Sequence, residues 1–249
     1  MTTVAVSGAA GRMGKLIARA VAEAGDLELV ALYGPGHGGE EIEGLTVSED
    51  PAACTGVDVV VESSLPDVTI ANIRRWGELG AHVVVGTSGV SATDVESFWP
   101  ADLGCLIVPN FSLGAVLMMR FAEISAPHFR AAEIIELHHD EKVDSPSGTA
   151  ASTAERIGAA NPDQIRRVES SEKTRGVRGG SVAGVPIHSL RLPGLLAHQE
   201  VVFGNLGEVL TIRHDSTDRA SFMPGVLAAV RHVTAVTGVE VGLESALGL

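Results

Sequence analysis

The chain has 249 residues, 45% hydrophobic and 20% charged, a balance that supports a packed core and excludes a disordered chain. Its 31 acidic and 18 basic residues give a net charge of −13, which argues against nucleic acid and anionic membranes as partners. Cys54 and Cys105 supply no disulfide framework, and no signal-like leader or membrane-length apolar run is visible, so a cytoplasmic protein is expected.

Thr3–Ser7 is short and β-branched and reads as a buried strand. Gly8-Ala9-Ala10-Gly11-Arg12-Met13-Gly14 follows, and Leu16–Ala24 continues as an apolar-striped helix. Strand, glycine turn and helix form the setting of a dinucleotide fingerprint, in which glycines let backbone approach a pyrophosphate at a helix N-terminus. Aligned on Gly11 and Gly14, the usual first glycine position holds Ala9, and an ordinary glycine-rich βα turn is the alternative. Leu27–Tyr33 is the second strand. An acidic residue to hold ribose hydroxyls belongs at its end, but Tyr33-Gly34-Pro35-Gly36 stands there, and the first carboxylates downstream are Glu40 and Glu41.

Val57–Val61 reads as a third, buried strand, Asp67–Leu79 as a helix and His82–Val85 as a strand ending in Gly86-Thr87-Ser88-Gly89. A further strand, Leu106–Val108, leads to Pro109-Asn110-Phe111-Ser112-Leu113-Gly114. This alternation predicts a parallel sheet with right-handed crossovers. From Glu133 the pattern changes. Strand-like stretches at Val182–Leu190, Ala197–Phe203 and Glu208–His214 are separated by glycine turns, which predicts a second domain with an antiparallel or mixed sheet. Arg175–Gly180 is a glycine- and arginine-rich loop, and Phe222–Val236 is the last long helix.

The densest chemistry lies in Glu136–Ala150. If 133–138 is a strand, His138 and His139 face opposite sides and cannot share one job. Lys142 follows within a short turn, and Ser147-Gly148-Thr149 opens a helix through Ala159, offering free N–H groups and hydroxyls suited to an anion. Each residue alone fits a core histidine, a solvated one or a simple helix cap. Together they point to an acidic small molecule. Adjacent histidines do not converge on a metal, and zinc-type spacings are absent from the sequence.

The run His138-His139-Asp140-Glu141-Lys142-Val143-Asp144-Ser145-Pro146-Ser147-Gly148-Thr149-Ala150 closely resembles the signature of the dihydrodipicolinate reductase family. Gly11-Arg12-Met13-Gly14 is similar to the family's glycine loop, Gly86-Thr87-Ser88-Gly89 to its Gly-Thr-Thr-Gly turn, and Asn110-Phe111-Ser112 to its Asn-Phe-Ser segment. His188–Gly194 and Ile212–Asp215 also look like family sequence, and His188, His198 and His214 read as structural or interfacial.

The resemblance implies a Rossmann-type parallel-sheet domain, 1–108 with 216–249, and an α+β substrate and oligomerisation domain, 109–215. It implies NADH or NADPH bound by Gly8, Ala9, Ala10, Gly11, Arg12, Met13, Gly86, Thr87, Ser88, Val108, Pro109, Asn110 and Phe111. It implies reduction of a cyclic dicarboxylate in lysine and diaminopimelate biosynthesis by a homotetramer. His138 is then the acid, and Lys142 either stabilises developing negative charge or gives the proton. His139, Ser147, Gly148 and Thr149 hold a carboxylate. Another nicotinamide-dependent dehydrogenase of a small imino or amino dicarboxylate, or a non-catalytic nucleotide sensor, are the competing readings.

Overall fold

Alternation of short apolar strands with helices builds one parallel sheet from both ends of the chain. In the computed structural model, which describes residues 1–162 and 171–249, one unit comprises Met1–Phe111 with Phe222–Leu249 and a second comprises Ser112–Ser221. The first unit contains β1 (Thr2–Ser7), α1 (Arg12–Glu23), β2 (Leu27–Tyr33), a small hairpin of β3 (Glu41–Ile42) and β4 (Leu45–Thr46), and β5 (Val59–Glu62). It continues with α2 (Pro66–Glu78), β6 (His82–Val85), α3 (Ala92–Val95) and β7 (Gly104–Ile107). α6 (Met223–Val233) and β13 (Gly238–Val241) complete it.

The six-stranded sheet has the order β13-β7-β6-β5-β1-β2, with every pairing parallel. Val4–Ser7, Val59–Glu62 and Val83–Val85 are buried throughout, as strands covered on both faces must be. Trp76 of α2 is wholly buried, meets Tyr33 edge-to-face at 5.3 Å, and donates its Nε1–H to Glu62 Oε2 at 2.8 Å. The expected last helix stops at Val233, and the chain then adds β13 beside β7. Phe111 anchors the end of this unit's first segment. A Cβ on Gly86 would come within 2.7 Å of its ring, and one on Gly225 within 2.0 Å of its carbonyl oxygen.

The second unit contains α4 (Leu113–Ser125), β8 (Ala131–His138), α5 (Gly148–Ala160), β9 (Gly180–Val182), β10 (Val185–Arg191), β11 (Ala197–Asn205) and β12 (Glu208–Ser216). Its sheet has the order β12-β11-β8-β10-β9, with β8 parallel to β10 and the other pairs antiparallel. The expected α/β architecture with a second, mixed-sheet unit is therefore the one observed. β8 buries Ala132, Ile134 and Glu136, while Ala131, Glu133, Ile135 and Leu137 on its other face stay partly exposed. On the buried face Gln199 of β11 lies opposite Glu136 and donates to Thr153 Oγ1 of α5 at 2.8 Å.

Two expectations change here. Val182–Leu190 is not one strand: Ala183 and Gly184, with φ of 49° and 84°, form a two-residue turn between β9 and β10. The sequence lacks the Asn-Gly signal that marks such turns. α4 lay outside the expected elements because its apolar residues surround the helix, with Ala115, Val116, Met118, Met119 and Ala122 buried. Arg175–Gly180 forms a turn in which Gly179 N donates to Gly176 O, and Arg178 pairs with Glu133. Among the described residues no helix is long and apolar enough to cross a membrane.

Candidate active site

In the first unit, the loops expected to hold a dinucleotide follow β1, β6 and β7 at the carboxyl ends of parallel strands, where open α/β sheets bind ligands. Gly8 has φ of +77° and its N–H donates to Tyr33 O at 2.9 Å, so the tight-turn role falls on Gly8 and Ala9 is no defect. A Cβ on Gly14 would stand 2.1 Å from Gly8 O, so only glycine lets α1 sit this close to the turn. Gly11 is the N-cap of α1 and brings no side-chain cap, so the helix start presents backbone donors. Arg12 is exposed, Met13 half-buried, and Ala9 wholly buried. These features fit a bound pyrophosphate.

Gly86 is half-buried, Thr87 Oγ1 donates to Ser64 O at 3.0 Å, and Ser88 is exposed. Val108 is buried, Pro109 exposed, Asn110 half-buried, and Phe111 packs against Gly86. Sequence reasoning passed over Ser63–Leu65, the loop after β5. Ser63 Oγ donates to Ser7 O at 2.8 Å, and a Cβ on Gly8 would meet Ser63 C at 2.8 Å. Wholly buried Glu62 accepts hydrogen bonds from Ser64 N and Trp76 Nε1, fixing that loop against α2. Its position at the end of a parallel strand was the available signal. Beyond β2, Tyr33 is buried against Trp76, while Glu40 pairs with His37 at 2.6 Å and Lys15 of α1 at 3.7 Å. Glu41 instead accepts from Thr46 Oγ1 at 2.5 Å.

In the second unit, β8 ends at His138, and His139 lies beyond it in the turn, where its carbonyl accepts from Lys142 N at 3.2 Å. Glu136 precedes His138 by two residues, so the two share a face. Glu136 is wholly buried, and its Oε2 lies 2.5 Å from His138 Nδ1. Arg191 of β10 stands opposite His138 in the parallel register and grips the same carboxylate, Nη1 to Oε2 at 3.0 Å and Nη2 to Oε1 at 2.9 Å. The guanidinium also donates to Lys142 O at 3.3 Å and Asp144 O at 2.6 Å. Lys142 Nζ pairs with Asp144 at 2.7 Å. Ser147 caps α5 by accepting from Ala150 N at 3.2 Å, and Gly148 and Thr149 occupy the first turn of the helix. The structure thus brings His138 and Lys142 to one turn through two residues, Glu136 and Arg191, to which the sequence reading gave no role.

Burial is the largest influence on Glu136 and would push its carboxyl up, but hydrogen bonds from His138, Arg191 and Ser189 outweigh it and bring it down to about 2. A depressed carboxylate stabilises the fold fully above its ordinary value of 4.5 and loses that contribution as pH falls toward 2. A contribution on the order of 3 kcal/mol is expected to fade over that window. Denaturant unfolding at stepped pH should show Glu136→Gln less stable than the parent at neutrality, with the gap closing in acid. A gap that is constant with pH would remove this role.

A Rossmann-type unit with a pyrophosphate-type glycine loop, together with a mixed-sheet unit carrying an imidazole, an ammonium and a helix N-terminus, defines an NAD(P)-binding α/β protein of the oxidoreductase type. Residues 2–111 match the description "Dihydrodipicolinate reductase, N-terminus" and residues 114–247 match "Dihydrodipicolinate reductase, C-terminus". The 4-hydroxy-tetrahydrodipicolinate reductase of Cutibacterium acnes is 46% identical over 258 residues, covering 100% of both chains. That of Nocardia farcinica is 48% identical, covering 99% of this chain and 98% of its own. The solved structure of dipicolinate-bound dihydrodipicolinate reductase from Paenisporosarcina sp. TG-14 aligns with a TM-score of 0.84 and 35% identity, covering 98% and 99% of the two chains. The chain belongs to the dihydrodipicolinate reductase family.

Proposed function

We propose that this chain reduces 4-hydroxy-tetrahydrodipicolinate to tetrahydrodipicolinate with NADH or NADPH, in lysine and diaminopimelate biosynthesis in the cytoplasm. The observation that supports this reading is buried Glu136 paired with both His138 and Arg191, with Arg191 also holding the Lys142 carbonyl, on a chain that matches the family along its length. The first unit holds the dinucleotide through Gly8–Met13, Gly86–Ser88 and Val108–Phe111. The second holds the dicarboxylate.

The bound nicotinamide supplies a hydride to the conjugated C=C–C=N system of the dehydrated ring. The chain's residues do the rest. The first-turn N–H groups of Gly148 and Thr149, with Ser147 shaping the helix start, and His139 hold a ring carboxylate. His138, with Nδ1 committed to Glu136, presents Nε2 as the proton donor to the enamine carbon. Lys142 exchanges Asp144 for the developing negative charge, or donates the proton itself. Turnover of reduced nicotinamide, dependent on substrate generated by a dihydrodipicolinate synthase, tests the reading. Absence of turnover with either cofactor would refute it.

Cofactor choice follows from the end of β2. Tyr33 is turned into the core, so no strand-end carboxylate repels a 2′-phosphate, and exposed Arg12 is the local cation for one. Use of both cofactors within about tenfold in kcat/KM is expected, about 1.4 kcal/mol. Steady-state kinetics at matched salt measure it. A preference beyond a hundredfold for NADH would assign the ribose to Glu40, the carboxylate beside α1.

A homotetramer is the proposed assembly. The outer face of the second sheet presents Ala131, Ile135, Leu190 and Val202 around a cavity, with Glu133 and His188 paired at 2.8 Å within it. Burying that apolar strip between copies would also cover sheet edges. Light scattering should give a mass near four times 25.7 kDa. A monomer at micromolar concentration, or a tetramer unchanged by Ile135→Arg, would count against this face.

A further inference from the structure

We propose that Glu136 and Arg191 are positioning residues that set the proton affinity of His138 in opposite directions and tie it to the turn carrying Lys142. The proposal extends the reading of His138 as the proton donor and rests on it.

Glu136 Oε2 commits His138 Nδ1 as a donor at 2.5 Å, leaving Nε2 as the nitrogen that gains and loses the proton. A buried carboxylate acting alone would favour the imidazolium so strongly that it would release its proton reluctantly. Arg191 prevents this. It shares Oε2 at 3.0 Å and takes Oε1 at 2.9 Å, so its charge offsets the carboxylate that the imidazole feels. The same guanidinium holds the Lys142 and Asp144 carbonyls, so one planar group spaces the imidazole partner from the turn bearing the ammonium.

Among the other charges near His138 in sequence, Asp140 and Glu141 of the following turn are exposed to solvent. Lys142 and Asp144 pair with each other at 2.7 Å, and His139 follows directly in the turn. From β11 the same face receives Ala197 and Gln199, both uncharged, while His198 is paired with Asp215 at 2.7 Å. From α5, uncharged Thr153 accepts from Gln199 Nε2 at 2.8 Å.

The test is the His138 ring titration, followed by NMR, beside the pH profile of kcat, in the full-length enzyme. The ring signal is identified by its loss in His138→Gln, and thermal melts confirm that each variant is folded. Glu136→Gln should lower the ring midpoint, and the alkaline fall of kcat, by about 1–2 pH units. Arg191→Gln should raise both. Arg191→Lys, which keeps the charge but cannot span the carboxylate and both carbonyls, should lower kcat with the midpoint nearly unchanged. A purely structural pair would lower kcat and melting temperature without opposed shifts. Ring midpoints that stay put, or move the same way in Glu136→Gln and Arg191→Gln, would overturn the proposal. If Arg191→Gln does not fold, a Glu136→Gln midpoint that fails to drop is sufficient to overturn it. If the ring titrations shift as expected while the kcat profiles do not, the coupling stands and the role of His138 as donor is what fails.

Discussion

Replacing His138 with glutamine is expected to lower kcat by roughly 10²–10⁴-fold, the range for loss of a positioned acid–base group. Glutamine keeps a hydrogen-bonding side chain beside Glu136 but carries no ionisable proton. Cofactor affinity should be unchanged, because the dinucleotide loops belong to the other unit. Lys142→Ala should fall in the same range, since it removes the ammonium that Arg191 holds in place through the backbone. His139→Ala should act mainly on substrate KM. Steady-state kinetics of the three variants would decide the roles. Near-normal kcat in His138→Gln with turnover abolished in His139→Ala would reverse the assignment of the two histidines.

Gly14→Ala should be severely damaging to the glycine turn of the dinucleotide unit. The added carbon would sit 2.1 Å from Gly8 O and 2.7 Å from Ala9 Cα, and both neighbours are backbone. Either α1 slides away from β1 or the glycine turn opens, and both spoil the surface offered to a pyrophosphate. Overpacking of this kind costs about 1–3 kcal/mol, which lowers Tm by roughly 2–12 °C for a chain of this size. The dissociation constant for NADH and for NADPH, read by fluorescence titration, should rise at least about tenfold, or about 1.4 kcal/mol. Unchanged affinity and Tm would mean that the turn is looser than its contacts indicate. Gly36→Ala makes a useful contrast. No atom lies within 4 Å of its Cβ position, so only the strain of its φ of +80° is at stake.

Much of the parallel sheet was legible in the sequence because buried strands must be continuously apolar. Leu27–Tyr33 and His82–Val85 begin and end where expected. The glycine loop was legible as a loop, but not the division of labour within it. Only backbone geometry shows that Gly8 makes the turn while Gly14 admits the helix. The histidines, Lys142 and the Ser-Gly-Thr step stood out because local sequence brings them together. Glu136 and Arg191 did not, because they lie 55 residues apart and meet only through the parallel pairing of β8 with β10. A lone Glu in an apolar strand and an Arg before Leu-Pro-Gly carry no mutual signal. β13 was missed for a related reason: four residues after a helix become a strand only because β7 offers an edge.

The most direct measurement is the stoichiometry of the complete reaction. Substrate would be generated in the cuvette by a dihydrodipicolinate synthase, the oxidation of NADH or NADPH followed optically, and the product quantified by mass spectrometry. The account predicts one molecule of tetrahydrodipicolinate formed for each reduced nicotinamide consumed, with both cofactors supporting the reaction and His138→Gln nearly silent. Substrate disappearance without nicotinamide oxidation, or oxidation without tetrahydrodipicolinate, would contradict it.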